Sequence, residues 1–132
     1  MKRNFKSLLL LAALLLASCN AALVMNGKIM GISSGQFVYQ DGCLINNYKV
    51  DIDLVWRACE KTVNELKAAD IQKERKISTG MIKAVIQDEK VTIKVEYAAK
   101  DLTSVSVFVG VAGNNMASRL IHDKIIGNLA KH

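Results

Sequence analysis

From Val91 to Val111 the chain alternates apolar and polar side chains almost without error. Val91, Ile93, Val95 and Tyr97 are separated by Thr92, Lys94 and Glu96. After Lys100-Asp101, the valines at 105, 107, 109 and 111 interleave with Ser104, Ser106 and Phe108. A period of two sends successive side chains to opposite sides of an extended backbone, so these segments cannot bury one stripe of a helix. One face is apolar and the other polar, the signature of an antiparallel sheet covered on one side.

The same logic extends upstream. Residues 81–87 alternate, with Ile82, Ala84 and Ile86 on one side, and Asp88-Glu89 forms a polar turn before the next run. Residues 71–77 are highly charged, which suits an edge strand. Asp41-Gly42 lies between two apolar-rich runs in residues 37–48, and both residue types tolerate positive φ, so a hairpin is expected there.

Two stretches have helical spacing instead. Asp51 is placed to cap a segment in which Ile52, Val55, Trp56, Cys59, Val63 and Leu66 share one face. Its other face carries Asp53, Arg57, Glu60, Lys61, Asn64 and Lys67. Near the C-terminus Asn114 or Asn115 caps a second helix, with Met116, Leu120, Ile121, Ile125 and Leu129 expected inward. That leaves His122 beside Asp123 and Lys124 on the wet side. The order ββ-α-βββ(β)-α predicts an α+β fold: an antiparallel sheet of about five to six strands with two helices packed on one face.

The N-terminus has another purpose. Lys2, Arg3 and Lys6 precede an unbroken apolar run of ten residues, 8–17. That is too short for a transmembrane helix, which needs roughly twenty residues, but it suits a signal-peptide core. The run ends in Leu16-Ala17-Ser18-Cys19, which closely resembles the bacterial lipobox. The resemblance implies cleavage before Cys19 and acylation of its thiol. The expected organisation is a lipoprotein signal peptide at 1–18, a lipidated cysteine and tether at 19–34, and a single α+β domain at 35–132. Asn20 is not the Asp that retains lipoproteins of the enterobacterial type in the inner membrane, so the outer membrane is favoured.

Loss of residues 1–18 also alters the charge. The formal net charge of +6 includes Lys2, Arg3 and Lys6; without them fifteen basic side chains face twelve acidic ones, a net of +3. The remaining cations scatter, apart from a cluster at Lys73, Arg75 and Lys76. A nucleic-acid partner is therefore not expected, since it calls for a continuous basic face.

With Cys19 taken by lipid, Cys43 and Cys59 form an even pair in an oxidising compartment, so a sheet-to-helix disulfide is expected. The competing reading is two buried thiols. Two cysteines and two histidines without close spacing make a poor zinc site, and no metal or cofactor is expected. No base stands beside an identifiable nucleophile, so no catalytic residue is assigned. Trp56 reads first as core. Its sharper reading is as the wall of an apolar pocket between helices and sheet, shared with Val63, Phe108 and Leu120.

The lipobox, Tyr39 before the Asp-Gly turn, Val55-Trp56-Arg57, the run Lys90-Val91-Thr92-Ile93-Lys94-Val95 and the terminal Ala117-Ser118-Arg119-Leu120-Ile121 resemble a family of small Gram-negative lipoproteins of unknown function. They also resemble the virulence-associated group of Francisella lipoproteins. The resemblance implies an envelope-anchored α+β domain with no established activity. The expected function is non-catalytic: membrane attachment through the lipid, and action on an unknown envelope or host protein. The alternative is a carrier of a small apolar ligand or lipid.

Overall fold

A computed structural model describes residues 37–131. The elements are β1 (Val38–Gln40), β2 (Cys43–Tyr48), α1 (Ile52–Glu65), β3 (Ala69–Arg75), β4 (Thr79–Ile86), β5 (Glu89–Ala99), β6 (Leu102–Val109) and α2 (Asn115–Ala130). All six strands form one antiparallel sheet in the order β1-β2-β6-β5-β4-β3. Among the described residues the expected α+β class, six strands and two helices are all present.

Local chemistry accounts for most boundaries. Asp41 and Gly42 turn β1 into β2 with φ of 53° and 81°. Asp51 Oδ2 accepts from the Asp53 amide at 3.2 Å and Asn114 Oδ1 from the Ala117 amide at 3.0 Å, starting α1 and α2. The β4–β5 turn uses Gln87 and Asp88, both at positive φ, one residue earlier than expected, and Glu89 opens β5. β3 is an edge strand whose register shifts between Ala69 and Gln72, which blunts it against further pairing. At the other end of the sheet, Gly113 presses on Gly42. A Cβ on Gly113 would lie 2.5 Å from the Gly42 Cα, so the loop after β6 requires glycine there.

The register shows which side chains share a face. One row across the sheet runs Leu44, Val107, Ile93, Ile82, all buried. The adjacent row runs Cys43, Phe108, Thr92, Lys83 and lies on the opposite face. Both helices cover the first face. The core between them holds Tyr48, Val55, Val63, Val95, Val105 and Ile125, fully buried. The other face carries no second layer among the described residues.

Two expectations for α2 are corrected here. Met116 and Leu120 point outward, at 78% and 62% exposed, while His122 is fully buried. The buried stripe is Ser118, Ile121, His122, Ile125, Ile126, Asn128 and Leu129. That is regular i, i+3, i+4 spacing, but three of its members are polar, so hydropathy alone points to the wrong arc. Tyr97 and Val111, expected inward in the β5 and β6 runs, are exposed at 50% and 99%.

Candidate functional site

His122 is built into the interface between α2 and the sheet. Its Nε2 lies 2.7 Å from the Leu44 carbonyl, which only accepts, so Nε2–H donates. Nδ1 is then the acceptor for the Tyr48 hydroxyl at 2.6 Å. The ring is neutral, and burial pushes its pKa down to about 4, against the upward pull of the Leu44 carbonyl. Burial likewise drives the Tyr48 hydroxyl above the ordinary phenol range. Phe37 packs against His122, with ring centroids 5.1 Å apart and the planes at 80°. The Arg119 guanidinium sits 3.9 Å over the Phe37 ring. Both imidazole nitrogens are engaged in structure, so the group is shaped to hold α2 on β2.

Two polar contacts extend the helix interface. Asn128 Nδ2 donates to Thr62 Oγ1 at 2.9 Å, and that hydroxyl donates to the Ala58 carbonyl at 2.7 Å. These buried polar residues were not singled out in the sequence. Their regular spacing along α2 was the available signal.

The expected pocket residues are dispersed. Trp56 is core: its ring lies against Gly80, where a Cβ would approach Cζ3 to 2.5 Å. Arg75 flanks it, bonding the carbonyls of Lys76, Ile77 and Thr79 and pairing with Asp53 at 2.8 Å. Val63 is fully buried between helix and sheet. Phe108 lies on the uncovered face, opposite the helices, because it alternates with Val107 and Val109. Only Leu120 borders a concavity of the expected kind. This groove, of about 420 Å³, lies between the end of α1, the start of α2 and the β4–β5 turn. Its apolar lining includes Leu66, Ile86, Val91, Val109 and Ile121, with Lys124 at the mouth. Lys124 contacts Glu65 at 3.3 Å and holds that carboxyl below its usual range.

The expected disulfide is also corrected. Cys43 and Cys59 are free thiols. Cys59 faces inward from α1, whereas Cys43 is out of phase with Leu44 and sits on the uncovered face. The sheet itself separates them. Burial pushes the Cys59 thiol pKa up to about 12, which suits an inert core residue.

Cys43 instead borders a shallow depression of about 420 Å³ on the uncovered face, with Phe108, Met81, Thr92, Lys83 and Lys94. Half-buried apolar groups thus alternate with exposed amines. Among the described residues, no group of three His, Cys, Asp or Glu side chains could hold a metal ion. No helix among them is long and apolar enough to cross a membrane. Cys19 and the tether at 19–34 lie outside the described residues.

A family model described as Protein of unknown function (DUF3568) matches residues 4–128. No curated protein matches the sequence.

Proposed function

The chain belongs to the DUF3568 family, and from that footing we propose that it is a non-catalytic lipoprotein of the cell envelope, anchored through acylated Cys19 and acting by binding another protein. The family match begins at residue 4 and so takes in Lys6, the apolar run and the lipobox together with most of the domain. This supports treating the segment and the domain as one architecture. The observation that carries the binding half is the uncovered sheet face. Phe108, Met81 and Cys43 are only half-buried there, and Lys83 and Lys94 offer amines beside them. Apolar anchors rimmed by charge are what a protein interface requires. The outer membrane is the proposed site, on the strength of Asn20. The narrower form, a role in virulence, rests on the resemblance to Francisella lipoproteins.

The groove beside Leu120 favours a second reading, a carrier of a small apolar ligand or lipid. Its volume falls in the range of small-molecule sites, roughly 300–1,000 Å³, and most of its lining is aliphatic.

Anchoring is tested by intact mass and fractionation of wild type and Cys19→Ala. The wild type should begin at a modified Cys19 and fractionate with membranes. The variant should remain uncut and unmodified. An unmodified, membrane-bound variant cleaved as efficiently as wild type would remove the anchor from the account.

A further inference from the structure

We propose that His122 makes the β1 end of the domain an acid-released clasp: protonation of the imidazole frees Phe37 and β1 and bares the outer edge of β2. The inference does not depend on how the protein is anchored.

Its basis is the arrangement around the ring. One side of His122 is closed by its own helix and another by β2, through Leu44 and Tyr48. A further side is covered by Phe37, which is only half-buried. The neutral ring needs one donor and one acceptor neighbour, and it has them. A protonated ring donates from both nitrogens, and although the Tyr48 hydroxyl can turn to accept from Nδ1–H, the new charge stays shut away from water. Among the described residues, no carboxylate is hydrogen-bonded to the ring to offset the new charge. The charged and titratable groups around it are few. On α2 they are Arg119, which opposes protonation, and Asp123, which favours it but is half-exposed and bonded to Arg119 at 3.3 Å. From β2 comes the phenol of Tyr48, and from α1 the Cys59 thiol that faces Tyr48. Arg119 stands over Phe37 itself, so protonation places a second cation against the same ring.

An imidazolium in this position gains most by reaching water. The cheapest route is through Phe37, because β1 has three residues and, among the described residues, pairs only with β2. Opening α2 would instead uncover Ile121, Ile125 and Leu129. Short edge strands lie at the low-stability end of a fold. Release of β1 exposes the ring of Phe37, and it frees the backbone groups of β2 from Cys43 to Ile45 that β1 now pairs. An edge uncovered in this way accepts an extended strand from elsewhere. The folded value near 4 sets the window: opening should grow as pH falls below the ordinary histidine value and level off near 4.

The test is amide hydrogen exchange on the full chain, expressed as protection factors, for wild type, His122→Gln and Phe37→Ala. Glutamine keeps a donor and an acceptor but does not titrate. In wild type, the β1 amides and their β2 partners should lose about thirtyfold in protection between about pH 7.5 and pH 5, and at both pH values they should exchange far faster than those of β4 and β5, which open only with the whole fold. In His122→Gln the loss should be absent. Should that variant not fold, Phe37→Ala decides: with the cover removed, the His122 pKa measured by NMR should rise toward the ordinary value. Equal acid loss in wild type and His122→Gln, protection of the β1 amides equal to that of β4 and β5, or an unchanged His122 pKa in Phe37→Ala would each overturn the proposal.

Discussion

His122 makes the fold sensitive to acid. Its folded pKa of about 4 lies below the ordinary 6.5, so the unfolded chain takes up the proton first. Stability present above about pH 6.5 is therefore lost as pH falls toward 4, and the difference of 2.5 units amounts to about 3 kcal/mol. Urea denaturation across that interval should show the slope, and His122→Gln should flatten it. His122→Ala should cost about 3–5 kcal/mol, because it leaves a cavity and takes a hydrogen-bond partner from both the Tyr48 hydroxyl and the Leu44 carbonyl. A wet histidine, the expectation from sequence, would cost almost nothing. The cysteines are the second residue-scale case. Without reductant, Cys43 should alkylate in the native protein and Cys59 only after unfolding. Protection of both thiols in denaturant would mean a disulfide after all. The error in sequence was one of parity: Cys43 is one residue out of phase with Leu44, and a single step reverses a strand side chain.

At the scale of elements, what could be read was whatever local chemistry decides. The Asp41-Gly42 turn, the Asp51 and Asn114 caps, α1 and the alternating strands all lie within a residue or two of expectation. α2 was recognised as a helix but turned to the wrong arc. Ser118, His122 and Asn128 face inward, while Met116 and Leu120 face water, so its hydropathy opposes its packing. Only the partners on β2 and α1 resolve that orientation. The contact between α1 and β4 was equally hidden. Gly80 is an unremarkable strand residue until Trp56 is placed on it. Gly80→Ala should destabilise by about 1–3 kcal/mol through overpacking against a rigid indole. Thermal unfolding would measure it; a neutral result would mean that the Trp56 ring has room to move.

For the whole molecule, the layering was legible and the strand order was not. Period-two segments with two amphipathic helices imply one covered face. Nothing local states that β6 returns to pair with β2, which is a contact between distant parts of the chain. The expected pocket failed for that reason: its four residues were assigned to one space before the register showed Phe108 on the far side. The same register produces the surface on which the functional reading rests. The most direct measurement is photo-cross-linking in cells, with a photoreactive side chain placed at Met81 on the uncovered face or at Leu120 beside the groove. The interaction reading predicts a discrete protein adduct from Met81 that weakens with Lys94→Glu, and none from Leu120. A lipid or other small apolar adduct from Leu120, with no protein adduct from Met81, would contradict it and establish the carrier instead.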